Sequence, residues 1–154
     1  MSGNIKKLIS KFGYTLVELL VVLALFAIVL SIGMPNIKVI FKTRERVELS
    51  QFKRDIVFAR NSAIVENCNY TLYLYPGENR YQIIKISKNI TTIKDITLSN
   101  GVLIKGNNFN NSVSFSPTGA PNKAGTIFLT NKKNQNIEIT IEVATGKVNL
   151  YYNR

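Results

Sequence analysis

Twelve consecutive apolar residues, Leu19 to Leu30, follow directly on a carboxylate, Glu18, and this juxtaposition constrains the fold more than any other feature of the chain. An acid costs roughly 2.5–3.5 kcal/mol at the centre of a membrane helix. Either the segment lies outside a membrane or Glu18 has a partner. The wider apolar stretch, Tyr14 to Met34, is 21 residues long, which as a helix reaches about 31 Å at 1.5 Å per residue and matches a bilayer core. Length supports a single span, and a plain span leaves Glu18 unexplained. A secretory signal is the other conventional reading, with Lys6, Lys7 and Lys11 as its basic start and the small residues Ser31 and Gly33 as its cleavage site. The apolar part is too long for that, and Glu18 stands at its front.

Chemistry-bearing residues are sparse. The 154 residues contain no histidine and one cysteine, Cys68. Without a histidine there is no Ser/His/Asp or Cys/His pair and no His-ligated zinc, and a single thiol can make no intramolecular disulfide. Cys68 is expected to be packing material, no cofactor or metal is expected, and the chain is not expected to be an enzyme. Twenty Lys and Arg against nine Asp and Glu give +11, an excess that bears on solubility and on encounters with nucleic acid, anionic lipid or acidic partners.

Beyond the apolar run the pattern changes twice. Gly33 and Pro35 interrupt the helix, because Pro35 cannot donate to the carbonyl of Ser31, and a kink is expected there. Leu49, Phe52, Ile56, Ala59 and Ala63 then recur at helical spacing and line one face of an amphipathic helix. Arg44, Glu45, Arg46, Glu48, Lys53, Arg54 and Arg60 fall on its other faces, which are read as solvated. One long helix is expected from Tyr14 to about Glu66. From Asn67 the period becomes two. Strands are expected at 70–75, 80–87, 91–98, 102–105, 112–115, 126–130, 137–143 and 147–152, with turns at Pro76–Asn79 and Ala144–Gly146. The fold class is α+β: a long N-terminal helix, its first half transmembrane and its second amphipathic, packed on a C-terminal antiparallel β-sheet or small sandwich. The domains expected are 1–13, 14–34, 35–66 and a β-rich body over 67–154.

Gly13-Tyr14-Thr15-Leu16-Val17-Glu18-Leu19-Leu20, behind the short basic leader, resembles the processing site of type IV pilins and of the pseudopilins of type II secretion. The resemblance implies that residues 1–13 are a leader removed by a prepilin peptidase that cuts after Gly13, and that the same enzyme N-methylates Tyr14. It also makes Glu18 the family's glutamate. Cleavage creates an amine at Tyr14, ordinarily protonated near neutrality, one helical turn from Glu18. The two can form an assembly charge pair, between staggered neighbours in a filament or within one chain. A second resemblance, to H-type minor pseudopilins and FimT-like minor pilins, rests on Phe115-Ser116-Pro117-Thr118-Gly119, the 126–130 strand and the 137–152 hairpin with Gly146 at its turn.

Together these imply a structural subunit near the tip of a type IV pilus or type II secretion pseudopilus. Its partners are the peptidase, other pilins or pseudopilins through the N-terminal helix, and the cytoplasmic (inner) membrane. The implied location is a single-pass position in that membrane with the C-terminal domain outside, then the filament at the cell surface or in the periplasm. Lys38, Lys42, Arg44, Arg46, Lys53 and Arg54 lie beyond the span, so charge alone leaves orientation ambiguous or reversed; the outside placement rests on the resemblance. The alternative is a DNA-binding minor pilin of natural transformation. Twenty basic residues less the three leader lysines leaves 17 against nine acidic, and Lys123, Lys132, Lys133, Lys147 and Arg154 are the candidate phosphate contacts.

Overall fold

Helix α1 (Leu16–Gly33) and helix α2 (Ile37–Val65) open the computed structural model, which describes residues 15–33 and 37–152. The chain separates into two compact units with the boundary after Ile37. Gly33 is the last residue of α1, whereas Pro35 and the continuity expected through it lie outside the described residues.

Eight strands follow α2: β1 (Asn69–Tyr75), β2 (Arg80–Ile86), β3 (Ile90–Thr97), β4 (Leu103–Asn107), β5 (Ser112–Phe115), β6 (Gly125–Thr130), β7 (Asn136–Ile141) and β8 (Val148–Tyr152). They form two four-stranded antiparallel sheets, ordered β3-β2-β1-β5 and β4-β6-β7-β8. The architecture is thus the expected α+β, and the strands fall within two residues of their expected limits. At the clearest strand the end differs. The pairing of β7 stops at Ile141, and Val143, expected on the buried face, is half exposed in the turn. Gly146 N–H donates to the Glu142 carbonyl at 2.9 Å, and Glu142 N–H to Lys147 at 3.0 Å, which closes the hairpin before Val143 can pair.

One core joins α2 to both sheets. Leu49, Phe52, Ile56, Ala59 and Ala63 are fully buried, as helical spacing predicts, against Tyr70, Leu72, Tyr81, Ile83, Val113 and Phe115 of the first sheet and Ile127, Leu129, Ile137 and Ile139 of the second. Removing a Leu, Ile or Phe side chain from water contributes roughly 1.5–3 kcal/mol, so the helix closes a sandwich whose β-body alone has a modest core. Cys68 lies half-buried against this core.

The faces read as solvated are partly structural. Glu48 accepts from the backbone N–H of Ser99 at 2.8 Å and of Asn100 at 3.1 Å. Glu45 accepts from Asn131 Nδ2 at 2.8 Å, and Asn131 also receives the N–H of Lys133 and of Gln135. Loops from both sheets thereby hang on carboxylates of α2. The Pro76–Asn79 turn, a single turn of 3-10 helix over Pro76–Glu78, ends on Asn79 at φ +50°, a left-handed conformation that Asn tolerates. The Asn79 amide donates to the carbonyls of Leu98 (2.7 Å) and Val102 (2.8 Å) and accepts from Ile104 N–H (2.8 Å), so one side chain ties β2 to the start of β4.

Candidate functional site

At the head of α1 the backbone amides of the first turn have no carbonyl partner within the helix. Thr15 Oγ1 accepts from Glu18 N–H at 3.2 Å, and Glu18 Oε2 accepts in return from Thr15 N–H at 3.2 Å and lies 3.5 Å from Thr15 Oγ1. This is a capping box, Thr-x-x-Glu, in which each side chain satisfies the other residue's amide. Sequence reasoning missed it, although Thr15-Leu16-Val17-Glu18 carries the signal, because the apolar run beside Glu18 poses the question of cost before that of capping. Gly13 and Tyr14 lie outside the described residues.

Behind the cap, α1 offers no polar side. From Leu16 to Leu30 the large side chains are exposed all round, among them Leu16, Phe26, Val29 and Leu30 at 62–74%. Ser31 turns its hydroxyl inward to the Ile28 carbonyl at 2.8 Å. A helix apolar on every side needs cover from lipid or from other helices. Among the described residues no helix is long and apolar enough to cross a membrane. As described, α1 has 18 residues, about 27 Å at 1.5 Å per residue, and residues 14 and 34 of the expected span lie outside the described residues.

The C-terminal motif forms a second locus. Gly119 N–H donates to Ser116 at 2.8 Å and Ser116 N–H to Ala120 at 3.0 Å, which makes the Ser116–Gly119 segment a tight turn. Gly119 (φ +79°) and Gly146 (φ +62°) meet there. A Cβ built on Gly146 would stand 2.5 Å from the Gly119 carbonyl oxygen and 2.6 Å from Arg60 Nε, and Arg60 Nε donates to that carbonyl at 3.2 Å. The two glycines, 27 positions apart in the chain, are therefore two sides of one contact, with an α2 arginine as its clasp.

Sheet topology divides the candidate phosphate contacts. Lys132 and Lys133 sit in the β6–β7 turn; Lys147 follows the β7–β8 turn, and Lys123 precedes β6 at that same end. The six residues of β7 separate the two pairs by about 17–20 Å at ~3.4 Å per residue. Lys132 Nζ lies over the Phe41 ring at 4.9 Å, and Lys123 Nζ is 3.5 Å from the Phe109 carbonyl. Arg154 lies outside the described residues.

Charged clusters flank the first sheet, those of Asp55 and Glu66 on its α2 side and that of Asp95, with Arg80 and Gln82, on the opposite face. Asp55 is buried and receives Tyr81 Oη at 2.7 Å, Gln51 Nε2 at 2.7 Å and the Lys94 ammonium at 2.6 Å. Burial, then the Asp55 carboxylate, pushes the Tyr81 phenol far up, so it stays a neutral donor. Glu66 receives Lys85 and Tyr70 Oη, and the Lys85 ammonium holds its carboxyl below the usual range. Gln82 and Arg80 do the same for Asp95.

Comparison with known proteins supplies relatives. The profile of the family described as type II transport protein GspH matches residues 48–146, and the prokaryotic N-terminal methylation motif matches residues 10–34. Among curated proteins nothing matches the chain. Of solved structures, the minor pseudopilin EpsH from the type 2 secretion system of Vibrio cholerae is similar at 12% identity with a TM-score of 0.59, over 70% of this chain and 95% of that one. The type IV minor pilin FimU of Pseudomonas aeruginosa is similar at 11% identity with a TM-score of 0.56, over 69% and 91%. At such identities the likeness concerns the fold.

Proposed function

Because the chain belongs to the GspH family of type II transport proteins, we propose that it works near the tip of a pilus-like filament and helps to start its assembly. It is a minor pseudopilin or minor pilin of the type II secretion or type IV pilus kind, a structural subunit and not an enzyme. The observation that carries the proposal is α1, apolar on every side and headed by one carboxylate. Lipid covers such a helix before assembly, in a single pass with the C-terminal domain outside, and neighbouring helices cover it afterwards.

A prepilin peptidase cuts between Gly13 and Tyr14 and methylates the new terminus, which fits the methylation motif over residues 10–34. The resulting cation stands at a helix N-terminus, where the macrodipole favours negative charge. Glu18 supplies that charge one turn along. Capping holds the carboxylate at the first turn, where an amine of the same chain or of a staggered neighbour can reach it, and a buried matched pair then fixes register as a buried polar residue does in a coiled coil.

Glu18→Gln separates the two roles, since a capping box accepts Gln as well as Glu. The expected outcome is an unchanged helix content with loss of incorporation into the filament; normal assembly of the variant ends the charge-pair reading. Mass spectrometry of the membrane-extracted protein is expected to show a mature chain beginning at methylated Tyr14, and an intact leader in cells with an active peptidase refutes processing.

The DNA-binding reading draws on the basic excess of the mature chain. With the lysines at two ends of the second sheet, it requires DNA to span that sheet. Lys132→Ala with Lys133→Ala, and separately Lys123→Ala with Lys147→Ala, are then each expected to lower affinity and flatten its salt dependence, by about one unit of log–log slope for every phosphate that is no longer neutralised. Absence of binding at about 50 mM salt, where such pairing is strong, ends that reading.

A further inference from the structure

The flank of α2 beside its core-facing stripe carries Lys53, Arg54, Val57 and Phe58, and with Leu150 of β8 they line an open groove of about 640 Å³. Strand β8 is the last of its sheet and, among the described residues, pairs only with β7. An unaccompanied edge presents a row of backbone N–H and C=O groups that a further strand can satisfy. Val148 and Leu150 face the core, so the inward side chains of a strand added there would continue past Leu150 toward Val57 and Phe58. Lys53 and Arg54 stand one helical turn before those two residues, and among the described residues neither is in an ion pair. The apolar groove is thus bordered by cations on one side and by an open strand edge on the other.

We propose that this groove is a docking site for an extended acidic segment of another protein, which adds to β8 as a fifth strand. Each element asks for one property of the occupant. The β8 edge asks for extended backbone, Val57, Phe58 and Leu150 ask for apolar side chains at every second position, and Lys53 and Arg54 ask for carboxylates. The basic excess, 17 Lys and Arg against nine Asp and Glu once residues 1–13 are removed, draws an acidic partner and repels a second copy of itself, which favours a different protein as the occupant. This surface lies within the second compact unit and does not depend on the fate of α1.

The test uses the full chain in detergent and a fluorescein-labelled peptide that alternates valine with serine and carries two glutamates. Two controls carry lysines in place of the glutamates or N-methylated alternate backbone amides. The acidic peptide is expected to bind saturably and both controls about tenfold or more weakly, because charge complementarity and strand pairing are separately removed. Amide exchange is expected to slow in residues 148–152. Lys53→Glu with Arg54→Glu, both on the helix flank outside the core, is expected to reverse the preference toward the lysine peptide. Equal affinity for the acidic and lysine peptides, or undiminished exchange in β8, overturns the proposal. So does self-association of the chain that the peptide competes away, since it assigns the groove to a second copy.

Discussion

At Asn79 a single amide holds two carbonyls and one N–H from a loop more than 18 residues further along the chain. Asn79→Ala leaves those backbone groups without their partner at a half-buried site and removes a residue that tolerates φ +50°. A loss of about 2–3 kcal/mol is expected in chemical denaturation, near the cost of a buried group left unsatisfied. Gly146 makes a different demand, for space as well as for conformation. Gly146→Ala places a methyl against the Gly119 carbonyl and Arg60 and is expected to destabilise by about 1–3 kcal/mol; Gly77→Ala, where a Cβ meets nothing within 4 Å, is the matched control and is expected to be near neutral. The turn at Pro76–Asn79 and the glycine at 146 were legible from residue type. What Asn79 and Gly146 hold was not, because their partners are set by which loops the sheet order brings together, and no local pattern encodes that.

Among the elements, α2 and β3 show how far periodicity reaches. The buried stripe of α2 follows from spacing alone. The acids on its other faces do not, since Glu45, Glu48 and Asp55 look like any solvated carboxylate until the loops and β2 are in place. Strand β3 is exposed at nearly every position and carries an extra residue, Ile93, opposite the Ile83–Ile84 step; such a bulge twists an edge away from further pairing. Pairing with β2 holds it, and its Asp95 is ion-paired with Arg80 of β2, while Lys85 of β2 is ion-paired with Glu66 beyond α2; these contacts give the first sheet a pH dependence. The carboxyls of Glu66 and Asp95 both lie below their ordinary range in the folded chain, the first chiefly through Lys85 and the second through Gln82 and Arg80. A depressed carboxyl contributes stability that is complete above its unfolded pKa and is lost as pH falls through its folded one. Denaturation midpoints are therefore expected to drop as pH falls below the ordinary carboxyl values of 4.5 and 3.8, and more shallowly in Glu66→Gln with Asp95→Asn. An equal slope in that variant would assign the acid sensitivity elsewhere.

For the molecule as a whole, the one core shared by α2 and both sheets makes a definite claim about cooperativity. Ile56→Ala is expected to cost about 2–5 kcal/mol and to lower a single transition seen alike by far-ultraviolet circular dichroism and by tyrosine fluorescence; two separated transitions would show that the sheets unfold apart. Fold class and strand list were readable because periods of 3.6 and 2 leave a direct imprint on sequence. Which strands belong to which sheet was not, since register and strand order depend on contacts far apart in the chain. Of the candidate sites, Glu18 stands out by its cost, whereas the Thr15 that caps with it does not, because a hydroxyl is cheap anywhere.

The uniform skin of α1 has a geometric consequence. A rod that is equally oily on every side has no preferred azimuth: turned about its own axis, it offers its surroundings much the same surface. Within a bundle of such rods, cohesion is nearly degenerate in rotation and weakly resisted in sliding, as between greased cylinders. In the proposed filament, what fixes the angle and height of each subunit is then expected outside that skin, in the one charged turn at its head and in the rest of the chain.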